Sequence, residues 1–329
     1  MTAPRHCFLI LATGNAVTLS DLIHEITRTH SADVILHIDA KSVATLGPKL
    51  PLQNVTHVIA NPIDVKWAGY SMVEATDKLI SAGLRLSGAP RFTLLSDSCF
   101  PSQPLEKFYA FVERDDREFV FALDALVAQQ GLKKKHLMGV CFFDVAALNP
   151  RRFRPGLAQS LVWQAFRLTS RIPRLRRSDF VSRNIVPYFG SQWWTLSRAC
   201  LEHVASPPSA MLWFKERLRW SYAGDEFFIP TAVMNSPFRQ RVHQLDRLEE
   251  LMTRSDSSFY TTPHEEFCLR YSLWDRRRRE LPKHLNQDDL PLACDNGHFF
   301  VRKVIDGTGD TLRESLIARV SCRTSQEQD

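Results

Sequence analysis

The sequence lacks the short motifs that hold phosphates or metal ions in many enzymes. Its 329 residues contain neither GxGxxG nor GxxxxGK[ST], the two patterns that place backbone N–H groups around a phosphate. They also contain no HExxH, no clustered Cys/His set and no Asp-x-Asp. An anionic ligand would therefore need positive charge from some other source.

Paired cysteines and long apolar runs are missing as well. Seven cysteines are scattered without a CxxC pair, which is typical of reduced thiols and predicts a cytoplasmic protein. No run approaches the roughly 20 apolar residues that a membrane span needs. Residues 7–12 are too short for the apolar part of a signal peptide and suit a buried first strand.

The composition that is present indicates a folded globular protein, because 44% of residues are apolar and 24% are charged. The formal net charge of +6 suits an anionic ligand. That excess is too diffuse to indicate nucleic acid on its own.

The first 125 residues alternate short apolar runs with amphipathic stretches. This alternation predicts βαβ units and a parallel sheet buried on both faces. Such sheets bind ligands at the carboxyl ends of their strands. The predicted strands are 6–12, 33–38, 55–60, 91–96 and 118–123, and the predicted helices lie near 18–30, 70–85 and 104–113.

Residues 126–186 differ in composition from the rest. Eight arginines lie between Arg151 and Arg177 with no acid among them. Leu161, Trp163 and Phe166 are interleaved with these arginines and favour a membrane-surface helix over a nucleic-acid patch. A solvated basic helix is the alternative.

Regular structure is predicted again from residue 187, and the last 15 or so residues are typical of a polar tail. The predicted elements are a strand at 192–197, helices at 198–206 and 225–234, and a final strand near 298–304.

Asp225 and Glu226 follow a small-residue turn and begin an apolar segment that is predicted to be helical. At a helix N-terminus the macrodipole and the free N–H groups favour an ionised carboxylate, which suits a general base. The alternative is structural, with one acid capping the helix and the other pairing with a surface arginine.

Arg302 and Lys303 form a cation pair on the apolar run 299–304. They could clamp a diphosphate, or they could be a solvated pair near the C-terminus. Adjacent strand residues point to opposite faces, so only one would face a site unless the strand bends. A carboxylate that accepts a proton and cations that hold an anionic leaving group would suit sugar transfer without a metal ion.

Two aromatic segments, at 65–71 and 190–198, lie near predicted strand ends. Aromatic rings there can stack on a base or on a sugar face. Core packing is the alternative for each segment.

Taken in order, these segments resemble one family, the core-2/I-branching β-1,6-N-acetylglucosaminyltransferases with their protein O-xylosyltransferase relatives (glycosyltransferase family 14). The resemblance runs from about residue 7 to 306. It is carried by HIDAKS (37–42), VKWAGYSMVEA (65–75), LLSDSCFP (94–101), GSQWWTLSR (190–198), YAGDEFFIPTAVMNS (222–236), CLRYSLW (268–274) and FFVRKVID (299–306).

The resemblance implies an α/β, GT-A-like fold with a Rossmann-like, mostly parallel central sheet. It also implies an inverting reaction that uses a UDP-sugar donor and a glycan acceptor, with no metal and no cofactor. A single domain is expected over 1–310, comprising a nucleotide-binding half (1–125), a basic insert (126–186) and a catalytic and acceptor half (187–310), followed by a tail (311–329).

Site roles carry over from the family motifs onto matching positions. The catalytic base falls on Glu226. The cations that hold the diphosphate fall on Arg302 and Lys303, and less closely on Arg270. The nucleotide is expected against Asp39 and Trp67, and the sugar and acceptor pocket against Asp225, Gln192, Trp193 and Trp194.

Gln192 departs from the family pattern. Xylosyltransferase-like members tend to have Asp there and branching-type members a small residue. A neutral amide could pair with an N-acetyl carbonyl, so UDP-N-acetylglucosamine and a β-1,6 linkage are expected, with UDP-xylose as the alternative donor. A non-catalytic sugar- or nucleotide-binding relative is the other alternative.

Secretory members of the family carry a membrane anchor and disulfides, and this sequence shows neither. It is therefore expected to be a bacterial-type, cytoplasmic member involved in polysaccharide synthesis. Residues 151–177 make an anionic surface of the inner membrane a candidate partner, and no nucleic-acid partner is expected.

Overall fold

The computed structural model describes residues 4–28, 31–114, 116–127, 131–253, 265–274, 282–295 and 298–322. The strands are β1 (His6–Ala12), β2 (Ala32–Ile38), β3 (His57–Val58), β4 (Arg91–Ser96), β5 (Cys99–Pro101), β6 (Phe119–Asp124), β7 (Tyr188–Ser197), β8 (Arg270–Ser272) and β9 (Phe300–Arg302).

The helices are distributed along the whole chain between these strands. They are α1 (Ala16–Thr27), α2 (Val43–Leu46), α3 (Ser71–Leu86), α4 (Leu105–Val112), α5 (Gly131–Met138), α6 (Leu157–Thr169), α7 (Arg177–Val181), α8 (Arg198–Ala205), α9 (Ser209–Arg217), α10 (Asp225–Met234), α11 (Leu245–Thr253), α12 (Glu265–Cys268), α13 (Leu290–Asp295) and α14 (Asp310–Cys322). None of these helices is both long enough and apolar enough to span a membrane.

A six-stranded sheet forms the centre of the fold, in the order β3-β2-β1-β4-β7-β6. Three of its five pairings are parallel, so the predicted α/β class and mostly parallel sheet are confirmed. The strand predicted at 118–123 differs from expectation, because β6 pairs antiparallel with β7 rather than joining the parallel set. A second, three-stranded sheet has the order β5-β9-β8.

The central sheet is buried on both faces, as the apolar runs predicted. Alternation along β1 explains how: Cys7 and Leu9 join one core cluster, whereas Phe8 and Ile10 join another. The helices that cover the two faces supply the rest of both clusters. Because helices cover both faces of the sheet, only the ends of its strands are open to a ligand.

The C-terminal segment is not the polar tail that was predicted from residue 311. It forms α14, which buries Leu312, Leu316 and Val320 at helical spacing. Arg313 is also buried, and its guanidinium pairs with Asp21 at 2.8 Å and with Asp310 at 2.6 Å. The expected tail beyond Cys322 lies outside the described residues.

Candidate active site

A cavity of about 660 Å³ opens at the carboxyl ends of β1, β2 and β4, where the parallel sheet predicts a ligand. This volume lies in the usual range for small-molecule sites. Six cationic side chains face three carboxylates around it, so the cavity suits an anionic ligand. The cations are Lys41, Lys66, Arg151, Arg152, Arg302 and Lys303, and the carboxylates are Asp39, Asp64 and Asp97.

One end of the cavity lies beyond β2 and contains Asp39 and His37. Asp39 is buried, accepts a hydrogen bond from the backbone N–H of Lys41 at 3.2 Å, and forms an ion pair with the Lys41 ammonium. His37 accepts a hydrogen bond at its Nε2 from the N–H of Ile63 at 2.8 Å, and burial lowers the pKa of this imidazole. These polar groups are held by hydrogen bonds within the protein itself.

Asp97 follows β4 and fixes the loop between β1 and α1. Its Oδ2 accepts hydrogen bonds from the backbone N–H groups of Thr13 (2.6 Å), Gly14 (2.7 Å) and Asn15 (3.2 Å). Asp97 belongs to the LLSDSCFP segment (94–101) that carries the family resemblance, but the sequence assigned this residue no role. Its carboxylate holds together the backbone that forms one wall of the cavity.

The other end of the cavity is cationic and is formed where the small sheet meets the large one. Arg302 ends β9, its Nε donates to the Ser96 hydroxyl at 3.3 Å, and its guanidinium lies 4.6 Å from the centre of the Trp193 ring. Lys303 comes directly after the strand. Both side chains line the cavity, contrary to the expected alternation, because the strand ends at Arg302.

Arg270 reaches the same tryptophan from β8, which runs parallel to β9. Its guanidinium lies 4.8 Å from the centre of the Trp193 ring, and its Nη2 donates to the Leu94 carbonyl at 2.8 Å. The residue is buried, yet its Nε and Nη1 make no hydrogen bond to any described residue. Arg270 is not among the residues that line the cavity, so it adds to the positive charge of this end through its contact with the Trp193 ring.

Burial lowers the pKa of Arg302 to about 10, with Arg270 acting in the same direction and Asp97 and Asp225 opposing it. The guanidinium therefore stays charged at neutral pH. Two neighbouring cations also repel each other, and the face of the shared ring partly offsets this repulsion.

Asp225 and Glu226 occupy the first turn of α10, as the sequence predicted. Asp225 is buried and lines a small cavity together with Gln192, which also lines the large one. Glu226 is half-buried and is not among the residues lining either of these cavities. The first turn of α10 thus places Asp225 beside Gln192, and Glu226 is the next residue of the same turn.

A family model described as "Core-2/I-Branching enzyme" matches residues 7–304. The chain belongs to this family. The core-2/I-branching enzymes are glycosyltransferases, which establishes glycosyltransferase as the enzyme class. A search of curated proteins returned no match.

The aromatic pair of the expected sugar pocket is divided by the alternation of β7. Trp193 faces the cavity and supports the two guanidiniums, whereas Trp194 is fully buried in the core and does not line the cavity. The expectation for Trp194 was therefore wrong, because adjacent strand residues point to opposite faces. Gln192 does line the cavity, and its Nε2 is buried without a hydrogen bond to the described residues.

Trp67 lines the cavity as expected, and it belongs to an aromatic cluster. Its ring centre lies 5.8 Å from that of Tyr222 and 6.0 Å from that of Trp163 in α6. The Arg151 guanidinium covers the Trp67 ring at 4.8 Å. The basic segment therefore contributes a wall of the site, and Trp163 is half-buried against the aromatic cluster.

Sequence reasoning missed Arg151, Arg152 and Asp144 as parts of this region. Asp144 accepts hydrogen bonds from the backbone N–H groups of Tyr70 (2.6 Å) and Ser71 (3.0 Å) and so caps α3. A side chain on Gly69 would meet this carboxylate at 2.3 Å, which explains the glycine in the WAGY motif. The acid-free run of arginines was the available signal for Arg151 and Arg152, but it did not show which of the arginines line the cavity.

Proposed function

We propose that this chain transfers a sugar from a UDP-sugar to a hydroxyl group of a glycan acceptor, by an inverting, metal-independent reaction on a GT-A-like fold. The observation that carries the proposal is the cationic end of the cavity. There Arg302 and Lys303 line the cavity, and the Arg302 guanidinium shares the Trp193 ring with that of the buried Arg270. A diphosphate supplies the oxygens that such donors bind.

The donor would lie along the cavity, with uridine between Asp39 and Trp67 and its diphosphate at the cationic end. Arg302 and Lys303, supported by Arg270, would stabilise the negative charge that grows on the departing β-phosphate. Groups that are already oriented towards developing charge need no rearrangement during the reaction, which is an effective form of catalysis. In this arrangement the fixed cations do the work that a divalent ion does in other transferases.

Glu226 is the proposed general base. A single displacement at the anomeric carbon forms the new glycosidic bond as the bond to UDP breaks, and the acceptor hydroxyl gives its proton to this carboxylate. Attack from the side opposite the leaving group inverts the anomeric configuration. Asp225 and Gln192, on the same side of the cavity, would contact the sugar and the acceptor.

N-acetylglucosamine is the proposed sugar, in a β-1,6 linkage, and UDP-xylose is the alternative donor. The support is Gln192, whose buried N–H donor makes no hydrogen bond to the described residues and could pair with an N-acetyl carbonyl. A neutral amide makes this contact without a buried charge. Replacement by Asp should shift preference towards the donor that offers only hydroxyl groups.

A donor screen tests this proposal directly. UDP release would be measured for a panel of UDP-sugars, with wild type and Gln192→Asp compared on the two leading donors. UDP-N-acetylglucosamine should be the best donor of the wild-type enzyme. Preference for UDP-xylose would refute the sugar assignment, and absence of release from every donor would favour the non-catalytic alternative.

We also propose a cytoplasmic location, supported by the environment of the thiols. Cys7, Cys99, Cys141 and Cys200 are buried and free, and burial raises the pKa of the Cys141 thiol to about 12. Alkylation of the denatured protein without reductant should modify all seven cysteines. A disulfide-linked pair would contradict the proposed location.

A further inference from the structure

The helix α6 is apolar on two opposite faces, and only one of them is covered. Its inner face packs Trp163 and Phe166 against the aromatic cluster, where the Phe166 ring centre lies 5.0 Å from that of Phe143 and 5.1 Å from that of Tyr222. At 3.6 residues per turn, Leu157, Leu161 and Leu168 fall within about 40° of one another on the other side. These three leucines are 78%, 54% and 65% exposed.

This exposure is unusual within the molecule. The five most exposed large apolar side chains of the described residues all lie between positions 157 and 181, in the same stretch as these leucines. A merely solvated basic helix would place polar residues at such positions. A cluster of exposed leucines indicates a binding surface instead.

The charge around α6 indicates what kind of surface binds there. Residues 145–178 contain eight arginines and no acid, and the exposed Arg154, Arg167 and Arg171 alternate with the leucines along the sequence. A second copy of this chain would bring the same positive charge against itself. Nucleic acid offers exposed leucines little apolar surface, and Trp163 and Phe166, which could stack on single-stranded bases, are turned inward.

We propose that the outer face of α6 docks on an anionic lipid bilayer. The leucines would enter the boundary between headgroups and acyl chains, and the flanking arginines would lie among the anionic headgroups. Because the inner face of α6 is fixed to the enzyme core, only side chains enter the lipid. Docking is therefore shallow and reversible, and it depends on both the leucines and the arginines.

Arg167 and Leu168 can be substituted to test this surface, and a similar Arg-Leu pair elsewhere in the chain provides a matched control. Both are exposed and lie in the last turn of α6, just as Arg85 and Leu86 are exposed in the last turn of α3. The double variant Arg167→Glu/Leu168→Ser changes charge and hydropathy by the same amount as Arg85→Glu/Leu86→Ser. Neither pair lines the cavity, so donor turnover in the absence of lipid should match wild type for both.

The test is sedimentation of the full chain with vesicles of phosphatidylcholine alone or mixed with phosphatidylglycerol. Wild type should bind only the anionic vesicles in about 0.1 M salt and bind them more weakly in about 1 M salt, where the Debye length falls from ~10 to ~3 Å. The α6 variant should lose at least about tenfold in vesicle affinity, since each basic residue near an anionic surface is worth about fivefold. The α3 variant should lose no more than about twofold.

Three results would overturn the proposal. The first is that wild type remains in the supernatant with anionic vesicles. The second is that the α6 and α3 variants lose affinity equally. The third is that the chain binds a single-stranded oligonucleotide and no vesicle. Leu161→Ser provides a second check that leaves the charge unchanged, and it should lower affinity for anionic vesicles at both salt concentrations. No effect of this substitution would exclude insertion of the leucines.

Discussion

The two ends of the cavity differ in how their polar groups are used. At the end near β2, Asp39 and His37 form hydrogen bonds and an ion pair with neighbouring parts of the protein. At the end near β9, Arg270 is buried with two donor atoms that make no hydrogen bond to the described residues. The polar groups of the first end are held by the protein, whereas the second end holds buried positive charge that an anion would neutralise.

This difference indicates how binding energy is distributed. A group that already has a partner in the protein contributes shape and selectivity, since a ligand must match what is fixed there. A buried charged donor without a partner contributes affinity, because the ligand relieves its desolvation. The uridine part should therefore be bound similarly in every ligand, and the diphosphate should account for most of the difference between UDP and uridine.

The largest expected effect comes from a residue outside both ends. Glu226→Gln should lower turnover by about 100-fold or more, because the amide retains the shape but cannot accept the acceptor's proton. UDP affinity should stay within about twofold, as measured by calorimetry beside a turnover assay. Asp225→Asn is the matched control, and a larger loss for it than for Glu226→Gln would move the base to Asp225. Retention of more than about a tenth of the rate by Glu226→Gln would also reject Glu226 as the base.

Arg302→Ala should give the second largest effect. UDP affinity should fall about 10- to 100-fold, in keeping with the loss of a charge-assisted hydrogen bond, whereas uridine affinity should stay nearly constant. Lys303→Ala should show the same pattern. Titration of both ligands measures the ratio, and Arg85→Ala on α3 serves as an exposed control. Equal losses for UDP and uridine would remove the proposed distinction between the two ends.

Asp39→Asn should have a smaller effect, and it should lower the affinities for uridine and for UDP equally. It removes the ion pair with Lys41 and loosens the pocket around the base, so uridine and UDP should both weaken by about 5- to 10-fold. A selective loss of UDP would show that Lys41 acts on the diphosphate when it is released from Asp39. The same titrations distinguish these outcomes.

Removal of divalent ions should have the smallest effect of all. Turnover in excess EDTA should stay within about twofold of the untreated rate, because fixed cations supply the charge that a metal would otherwise supply. The measurement compares treated enzyme with and without added Mn²⁺. Loss of activity with EDTA that Mn²⁺ restores would refute the proposed metal independence.

The parts of the fold that the sequence predicted well are those in which local pattern and burial agree. The bounds of β1 and β4 match the predicted 6–12 and 91–96, because each strand has an apolar centre and is buried along nearly its whole length. β3 is shorter than the predicted 55–60, since only His57 and Val58 pair with β2. The helix α14 was missed because its buried leucines are separated by charged residues, one of which is the buried Arg313.

The site was predictable in its components but not in its arrangement. Motif order gave Arg302, Lys303 and Gln192, all of which line the cavity. Motif order could not show that Trp193 contacts two guanidiniums while Trp194 belongs to the core. The two guanidinium contacts depend on how β7, β8 and β9 meet. Likewise, no local pattern separates Arg151 and Arg152, which line the cavity, from the arginines that follow them.

The order of synthesis has a consequence for when this enzyme becomes active. Asp306 accepts hydrogen bonds from the backbone N–H groups of Val17 and Thr18, both at 2.9 Å, and so holds the start of α1 across 288 or more positions of sequence. The strand β9 also enters the small sheet between β5 and β8. A chain still emerging from the ribosome can form β1, β2 and β4, but the cavity has no cationic end until residues 300–303 are made and β9 is in place. Truncation near residue 295 should therefore yield a protein that lacks donor binding altogether.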